Sequence, residues 1–363
     1  MQHESYLKHL HHACELAARG HGCVEPNPMV GCVIVNPKGI IVGRGYHQKI
    51  GDSHAEIHAL QEAGAQARGS TVFVTLEPCN HQGKTGPCAP ALLNAGVSTV
   101  VIGCSDPNPE ATGGIAFLKK NGVHVLLADD PKCKKLIAPF VQRVTTGLPW
   151  VLCKWAQTAD GYIETPIDES PWISSAESRQ LVHQERGCVD AIIVGVGTVV
   201  ADNPSLTVRG STAHRTPLRV IIDPTLRTPC NANLCDGSIP TLIAHGKGAN
   251  PNAFPQKNIS FIELPSIENA LNLRPLLTHV AKEYDATNVL VEGGKSLFEH
   301  LFKQQLANEL WIFTSNKTFG DKDLRNMQST FEHVPCVLEQ ETSCGGDVVQ
   351  RYRVEQEVSS LSV

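Results

Sequence analysis

The hydrophobic pattern of the first 146 residues predicts short strands that alternate with amphipathic helices. Leu7, Leu10, Cys14 and Ala17 recur at helical spacing, and Gly20 ends that helix. Runs of β-branched and apolar residues predict strands instead. The predicted strands cover 31–35, 40–45, 71–75, 99–102 and 123–127, and the predicted helices start at 54 and cover 89–94, 115–120 and 129–143. This alternation predicts a sheet that is covered on both faces.

Continuous apolar runs follow in the rest of the chain, as is typical of strands buried in a parallel sheet. A break at Gly147-Leu148-Pro149 predicts two domains, 1–146 and 147–363. The predicted strands cover 150–158, 189–194, 218–222, 241–245, 259–264, 288–291 and 309–314, with edge strands after 334, and the predicted helices cover 174–186, 273–284 and 295–303. Both domains are therefore predicted to be α/β.

Composition and charge mainly argue against two classes of partner, nucleic acids and membranes. The chain has 363 residues, 41% of them hydrophobic, which is enough for two domains with separate cores. The formal net charge of -5 argues against nucleic acid as a partner, because phosphate-binding proteins usually present a basic surface. No apolar run approaches the roughly 18 residues of a membrane span, so we expect no membrane association.

The thirteen cysteines are scattered without a regular framework, and the start of the chain is too polar for a signal peptide. We therefore expect free thiols in the reducing cytoplasm. Cys14 and Cys133 are interpreted as small buried hydrophobic residues. His9, His11 and His12 are interpreted as a solvated helix face, because a second metal site there would need cysteines nearby.

One imidazole, two thiols and an unattached carboxylate form the donor set of a catalytic zinc site. They occur in the motifs His54-Ala55-Glu56, Glu77-Pro78-Cys79 and Pro87-Cys88. Three protein ligands leave the fourth position of zinc to water, whose pKa the metal lowers to about 7. The same order of motifs is the pattern of the zinc nucleobase deaminases. It predicts His54, Cys79 and Cys88 as ligands and Glu56 as the catalytic residue that moves protons.

Other interpretations of these residues remain open. Ser53 is a plausible N-cap, and Ser53 and Glu56 also form a capping box, in which the carboxylate would bond only to the backbone. Eight residues separate Cys79 from Cys88, more than in the general deaminase pattern, so His81 is an alternative ligand. With His81 as a fourth ligand, the zinc would be structural and the protein a binding module.

Further motifs in the first half resemble the bifunctional deaminase/reductase family of riboflavin biosynthesis. They are Pro26-Asn27-Pro28-Met29-Val30-Gly31, Thr75-Leu76-Glu77-Pro78-Cys79, Gly83-Lys84-Thr85 and Asp106-Pro107-Asn108-Pro109, and the wide cysteine spacing is also typical of that family. The resemblance implies a cytidine-deaminase-like three-layer domain with substrate contacts from Asn27, Lys84, Asp106 and Asn108. For Asp106 and Asn108 a second interpretation is open, because Asp-Pro-Asn-Pro favours turns with or without a ligand.

The second half has no complete nucleotide-binding fingerprint. Gly195-x-Gly197 lacks the third glycine of the dinucleotide motif, and Gly293-Gly294 lacks the leading glycine of a phosphate-binding loop. A strand, two glycines and a helix start can present N–H groups to a phosphate, but they also form ordinary tight turns. Its own motifs therefore identify this domain only as an α/β fold.

The family resemblance nevertheless extends to this half. It rests on Asp160-Gly161, Ser170-Pro171-Trp172-Ile173, Gly197-Thr198, Ala201-Asp202-Asn203-Pro204, Leu206-Thr207-Val208-Arg209 and Val291-Glu292-Gly293-Gly294. It implies a dihydrofolate-reductase-like domain that uses NADPH. NADPH contacts are implied for Ala156, Trp172, Thr198, Asp202, Gly294, Lys295 and Ser296, and substrate contacts for Ser170, Arg186, Leu206, Arg209 and Glu292. Trp172 could instead be a core residue, and Arg186 and Arg209 could form surface salt bridges.

The family removes an amino group from 2,5-diamino-6-(5-phosphoribosylamino)pyrimidin-4-one and then reduces the ribosyl group to ribityl. The resemblance therefore implies zinc and NADPH as cofactors, a phosphorylated pyrimidine as substrate, and a cytoplasmic homo-oligomer, dimeric or tetrameric. A nucleic-acid-editing deaminase fused to a reductase is the alternative, which the acidic net charge disfavours.

Overall fold

The structure is a computed structural model that describes residues 2–81, 86–109, 111–166, 170–250, 254, 257–268, 270–320 and 324–355, with side chains from Tyr6 onward. The chain divides into two compact units, Met1–Gly147 and Leu148–Val363, and this division falls one residue after the predicted one. None of the described helices is both long and apolar enough to cross a membrane.

In the described part of the first unit, five strands form one sheet. The strands are β1 (Gly31–Val35), β2 (Ile41–Tyr46), β3 (Thr71–Leu76), β4 (Thr99–Cys104) and β5 (His124–Leu127), in the order β2-β1-β3-β4-β5. The helices are α1 (Gln2–Ala17), α2 (Ala55–Ala63), α3 (Cys88–Asn94), α4 (Gly114–Lys120), α5 (Pro131–Leu136) and α6 (Ala138–Thr146). Strand β1 is antiparallel to both of its neighbours, whereas β3, β4 and β5 are parallel.

Strand β3 shows how this sheet separates two cores, because successive side chains of a strand point to opposite faces. Val72 and Val74 pack in the cluster that contains Leu92 of α3. Phe73 packs in the cluster that contains Leu16 of α1. The predicted sheet with helices on both faces is therefore confirmed.

The prediction of a single helix over 129–143 is wrong. Two helices, α5 and α6, meet at Ile137, whose φ of -97° and ψ of 3° depart from helical values. Pro139 stands in the first turn of α6, where a missing N–H is tolerated. In the interior of one long helix its ring would clash with the carbonyl of the residue four positions earlier. The chain therefore ends one helix before the proline and starts another.

Two glycines of β2 allow α2 to lie directly on the strand. A Cβ atom at Gly45 would come within 2.1 Å of the Ala55 carbonyl oxygen, and one at Gly43 within 2.2 Å of the Ala59 oxygen. Both distances are far inside van der Waals contact, so a larger residue would have to move the helix. The backbone of β2 thus determines where α2 begins, and with it the position of His54.

The described residues of the second unit form a nine-stranded sheet and a small two-stranded one. The strands are β6 (Trp150–Gln157), β7 (Ala191–Gly195), β8 (Leu218–Ile222), β9 (Thr241–His245), β10 (Ile259–Glu263), β11 (Ser266–Ile267), β12 (Ala270–Leu271), β13 (Asn288–Val291), β14 (Glu309–Thr314), β15 (Cys336–Cys344) and β16 (Asp347–Val354). The helices are α7 (Ala176–Arg186), α8 (Val196–Asp202), α9 (Arg274–Glu283), α10 (Lys295–Lys303) and α11 (Gln328–Phe331). Apart from their ends, the predicted strands and helices are confirmed, and β11, β12, α8 and α11 are additional.

The strand order of the large sheet indicates where a ligand would bind. The order is β10-β9-β8-β7-β13-β6-β14-β16-β15, parallel from β10 to β14, with β16 and β15 as an antiparallel edge. The chain runs outward from β7 to β10 and later returns to insert β13 between β6 and β7. Ligands of open α/β sheets bind beyond the carboxyl ends of the strands, where the order reverses. The ends of β6, β7 and β13 meet that condition.

Replacement of Gly45 by alanine should force α2 away from β2. We expect the free energy of unfolding, measured by urea denaturation with circular dichroism, to fall by roughly 1–3 kcal/mol through overpacking. Gly86→Ala is the control, because a Cβ atom there meets nothing within 4 Å. Equal stability of the two variants would contradict this account of the β2–α2 contact.

Candidate active sites

Three different elements bring the predicted zinc ligands together. His54 is the N-cap of α2, Cys79 lies in the loop that leaves β3, and Cys88 is the first residue of α3. The prediction of Ser53 as the N-cap is wrong by one residue. His54 has an extended backbone, with φ -71° and ψ 165°, so its side chain departs before the regular turns begin. His54 and Glu56 can therefore face one site, which residues two apart within a helix cannot.

The ligand atoms lie at the spacing that zinc requires. His54 Nδ1 is 3.5 Å from Cys79 Sγ and 3.4 Å from Cys88 Sγ. Tetrahedral zinc with its usual bond lengths would hold such atoms about 3.5 Å apart. The Cys88 backbone N–H donates to Cys79 Sγ at 3.4 Å, which stabilises a thiolate there. The donor set therefore fits a zinc ion, and among the described residues His81 lies outside the cluster.

Glu56 stands beside this cluster with one of its two carboxylate oxygens unpartnered in the described ranges. The residue is buried, and its Oε2 atom has no hydrogen-bond partner among the described residues. The bond to the Ser53 backbone that a capping box would require is absent between these two described residues. Burial raises the pKa of Glu56 to about 7. A carboxyl group that is half protonated at neutral pH can transfer a proton in either direction.

A cavity of about 340 Å³ opens in front of these residues. Its wall includes Asn27, Asp106 and Asn108, three of the predicted substrate-binding residues. The fourth, Lys84, lies outside the described residues. The Asn108 N–H donates to Asp106 Oδ1 at 2.8 Å, so the turn that the motif favours is also present. The turn uses one carboxylate oxygen, and both residues still line the cavity.

Two residues contribute to this site without having been identified from the sequence. His47 lies in the cavity wall with its ring 5.5 Å from that of His54, and its buried Nε2 has no partner among the described residues. Burial, and next the His54 ring, lower the pKa of His47, so its imidazole is neutral at pH 7. Glu77 accepts from the N–H groups of Gly113 and Ile115 and thereby ties the ligand loop to α4. The only available signal for His47 was its place between a predicted strand and the zinc motif.

A buried ion cluster lies at the carboxyl end of β13 in the second unit. Arg186 Nε donates to Glu292 Oε1 at 2.6 Å, Arg186 Nη2 donates to Oε2 at 2.9 Å, and Lys154 Nζ is 3.9 Å from Oε2. Burial would raise the pKa of Glu292, but the Arg186 guanidinium outweighs it and lowers the pKa to about 2. The alternative of a surface salt bridge is therefore wrong for Arg186, because its ion pair with Glu292 is largely enclosed. Both hydrogen bonds of this pair come from one side of the guanidinium.

The predicted NADPH residues gather at the ends of two paired strands. Thr198 and Asp202 lie on α8, which follows β7, and Gly294 is the N-cap of α10, which follows β13. Strands β7 and β13 pair in parallel, so their carboxyl ends are neighbours. Lys295 and Ser296 form the start of α10, where helix N–H groups can face a phosphate. This chemistry fits a dinucleotide phosphate.

The other predicted residues of this unit lie in different surroundings. Ala156 is half-buried on β6. Trp172 is 52% exposed and lies under the guanidinium of Arg179, whose Cζ is 4.6 Å from the ring centroid, so the alternative of a core tryptophan is wrong. Ser170 and Arg209 are exposed.

Leu206 differs from these residues because its side chain is buried in the core. Its φ of 51° lies in the left-handed region that favours glycine, as does the φ of 41° at Asn203. Asn203 Oδ1 accepts from the backbone N–H of Asn233 at 2.8 Å. Only the backbone of Leu206 can therefore face a ligand, and the segment from Asn203 to Leu206 is anchored at both ends.

Comparisons with known proteins agree with the division into two chemistries. Residues 149–349 match the RibD C-terminal domain, and residues 3–104 match the zinc-binding region of cytidine and deoxycytidylate deaminases. The chain is 36% identical to the riboflavin biosynthesis protein RibD of Aquifex aeolicus (strain VF5), over 85% of this chain and 86% of the relative. The chain belongs to the RibD family. Its identity to RibD of Escherichia coli (strain K12) is 35%, over 88% of this chain and 89% of the relative.

Two solved RibD-family structures resemble the chain along almost its whole length. Acinetobacter baumannii RibD (form 1) matches with a TM-score of 0.81 at 32% identity and covers 98% of this chain and 100% of its own. The diaminohydroxyphosphoribosylaminopyrimidine deaminase/5-amino-6-(5-phosphoribosylamino)uracil reductase of Thermotoga maritima matches with a TM-score of 0.79 at 31% identity and the same coverage.

Membership of the RibD family decides several sequence predictions. The chain is a bifunctional deaminase and reductase of riboflavin biosynthesis, with zinc and NADPH as its cofactors. The predicted fold class, a cytidine-deaminase-like domain followed by a dihydrofolate-reductase-like domain, is confirmed. The alternative of a binding module without enzymatic activity is therefore wrong.

The Arg186–Glu292 pair should make stability depend on pH. The pKa of Glu292 is lowered in the folded state, so its contribution is complete above the unfolded-state pKa of about 4.3 and is lost as the pH falls toward 2. The free energy of unfolding, measured by urea denaturation across this range, should fall by about 3 kcal/mol from this source.

Glu292→Gln should remove this component of the pH dependence. Glu299→Gln is the matched control, since Glu299 is exposed and lies 3.9 Å from Lys295, and it should leave the component intact. The same pH dependence in both variants would contradict the assignment.

Proposed function

We propose that the first unit hydrolyses the amino group of 2,5-diamino-6-(5-phosphoribosylamino)pyrimidin-4-one. The observation that carries the proposal is a three-donor cluster at the wall of one cavity, with the buried Glu56 beside it, one of whose carboxylate oxygens has no partner among the described residues. Three donors suit a catalytic rather than a structural zinc ion. The Thermotoga maritima relative is named for deamination of a diaminohydroxyphosphoribosylaminopyrimidine, which supports the same substrate class here.

His54, Cys79 and Cys88 would hold the zinc ion, which when bound lowers the pKa of a water molecule to about 7. Glu56 receives a proton from the attacking water and delivers it to the amino nitrogen as that group leaves. A bond forms between the water oxygen and the ring carbon, and the bond from that carbon to the amino nitrogen breaks. The second proton of the water moves to the adjacent ring nitrogen, so that a carbonyl group and ammonia result. The buried position of Glu56 keeps its pKa near 7, which suits both proton transfers.

Polar residues of the cavity wall would orient the substrate. Asn27, Asp106 and Asn108 would bind polar atoms of the base and the ribose, and the neutral ring of His47 lies on the same wall. Lys84 would meet the phosphate as a point charge.

Glu56→Gln should abolish deamination, because the amide keeps the shape but cannot carry the proton. Ammonia release from the diaminopyrimidinone phosphate should fall by at least about a hundredfold. Reduction of the deaminated intermediate, followed as NADPH oxidation, should be unchanged. Glu62→Gln on the same helix is the control, since Glu62 is exposed and paired with Arg44. Ammonia release at the wild-type rate in Glu56→Gln would refute the role of Glu56.

We further propose that the second unit reduces the ribosyl group of the deaminated product and that Lys154 is the proton donor. Lys154 is largely enclosed, with 15% of its side chain exposed, and burial lowers the pKa of its ammonium group, which makes it a stronger acid. Its ammonium group lies 3.9 Å from Glu292, which Arg186 in turn holds by hydrogen bonds. As the ribose ring opens, the ring oxygen takes a proton from Lys154, and the anomeric carbon then receives a hydride.

The cofactor and the substrate would lie at the carboxyl ends of β6, β7 and β13. NADPH, which supplies the hydride, would be bound by Ala156, Trp172, Thr198, Asp202, Gly294, Lys295 and Ser296. Ser170, Arg186, Leu206, Arg209 and Glu292 would surround the substrate. Arg209 has no ion-pair partner in the described ranges, whereas the fork of Arg186 is occupied, so Arg209 is the better candidate for the ribose phosphate.

Lys154→Met should remove the proton donor and keep most of the side-chain volume. NADPH oxidation with the deaminated substrate should fall by roughly a hundredfold or more, and ammonia release by the first unit should be unchanged. Lys303→Met is the control, since Lys303 is exposed and, within the described ranges, pairs with the exposed Glu268 alone. Retention of full reductase activity in Lys154→Met would show that another group donates the proton.

The expected setting of the enzyme remains part of this proposal: a cytoplasmic homo-oligomer that binds no nucleic acid. All thirteen cysteines lie in described segments and are free thiols, which supports a reducing compartment. Val337, Leu338 and Val348 are exposed on the β15–β16 edge, and such apolar side chains support self-association. Light scattering of the purified protein measures the number of subunits.

A further inference from the structure

A second cluster of metal-ligating side chains lies in the first unit and shares no residue with the deaminase site. Cys14 of α1 meets Cys133 of α5, with 3.4 Å between their sulfur atoms although 119 residues separate them in the chain. Asp130, the N-cap of α5, completes a group whose three ligand atoms all lie within 4.8 Å of one another. The only other group of this kind among the described residues is His54, Cys79 and Cys88.

The carboxylate of Asp130 is held in a single orientation. Its Oδ1 accepts from the Cys133 backbone N–H at 3.0 Å, and its Oδ2 is 3.0 Å from His11 Nε2. Lys132 Nζ lies 3.3 Å from His11 Nδ1, and because an ammonium group can only donate, Nδ1 must be the acceptor. The ring proton is therefore on Nε2 and faces Asp130. A histidine that orients a ligating carboxylate is a usual partner behind a metal ligand.

This arrangement corrects one interpretation of the sequence and extends another. His11 is not merely part of a solvated histidine face, because it is bonded to the buried Asp130. Cys14 and Cys133 do pack in a hydrophobic cluster, as interpreted, and each also has the other sulfur beside it. The cysteines that a second metal site near the histidines would need are supplied by the fold.

We propose that Cys14, Cys133 and Asp130 form a second metal site, for a thiophilic divalent cation of the zinc class, with His11 as the residue that positions Asp130. Two sulfurs and one carboxylate oxygen are donors that zinc accepts, whereas hard cations such as magnesium or calcium select oxygen alone. Tetrahedral zinc would hold two sulfurs about 3.8 Å apart, close to the separation already present. Nearby Cys104 is not a ligand, since its thiol donates to the Thr75 carbonyl.

The position of the site implies a structural role. Leu10, Leu76 and Ile137 surround Cys133 in one buried cluster. A metal ion bound there would connect α1 to α5 directly, in addition to the contacts of His11 with Asp130 and Lys132. Loss of the ion should therefore loosen the first unit without removing any group of the deaminase centre.

Metal content and spectroscopy of the full-length protein test the proposal. Purified protein saturated with zinc and then freed of excess should contain about two zinc ions per chain, against about one in Cys14→Ser/Cys133→Ser. With cobalt in place of zinc, Cys79→Ser/Cys88→Ser should keep a thiolate-to-cobalt charge-transfer band from the second site alone. Adding Cys14→Ser and Cys133→Ser to that variant should abolish the band.

Two further variants separate metal binding from simple misfolding. Asp130→Asn keeps an N-cap acceptor for α5, so the helix should form while cobalt binding at the second site weakens at least tenfold. Cys153→Ser removes a buried cysteine of the other unit and should keep both metal ions. A chain that binds one zinc ion only, with a cobalt spectrum unaffected by the Cys14 and Cys133 changes, would overturn the proposal. A Cys14–Cys133 disulfide in protein purified without reductant and without metal would do so as well.

Discussion

The predicted zinc site depends on holding one nitrogen atom about 3.5 Å from each of two sulfur atoms although their residues lie as many as 34 positions apart in the chain. No single helix or strand can do this. The sheet does it by delivering Cys79 at the end of β3, while α2 begins at His54 and α3 begins at Cys88. Each predicted ligand thus lies at or just beyond the end of a helix or strand. A side chain there does not have to pack on the regular face of that element.

Two buried glutamates show how surroundings set the chemistry of one residue type. Glu56 has no cationic side chain bonded to it, and burial raises its pKa toward neutrality. Glu292 is also enclosed, but the Arg186 guanidinium donates hydrogen bonds to both carboxylate oxygens and thereby lowers the pKa of Glu292. The first carboxyl group is suited to exchanging protons, and the second to remaining an anion that positions its neighbours. Burial alone therefore says little about the role of a carboxylate.

The sequence was most informative where chemistry is local. Motif order predicted His54, Glu56, Cys79 and Cys88 as one site, and hydrophobic runs located nearly all strands, because each motif and each run is formed by residues that are close together in the chain. Contacts between side chains that are distant in the sequence could not be predicted from it. Nothing in the sequence links Cys14 to Cys133, which lie 119 positions apart. Nor does the sequence show that the guanidinium of Arg186 is hydrogen-bonded to Glu292. Pro139 was a signal for the break at Ile137 between α5 and α6. The apolar spacing on both sides nevertheless favoured one helix.

The segment from Asn203 to Leu206 has a further consequence for ligand capture in the reductase unit. Two non-glycine residues there hold left-handed backbone angles, one anchored by Asn233 and the other by its own side chain in the core. A loop that has already lost its conformational freedom during folding has little left to lose when a ligand arrives. This part of the proposed binding site is therefore pre-organised, and flexibility introduced there, for instance by glycine, would weaken affinity even though no side chain proposed to contact the ligand had changed.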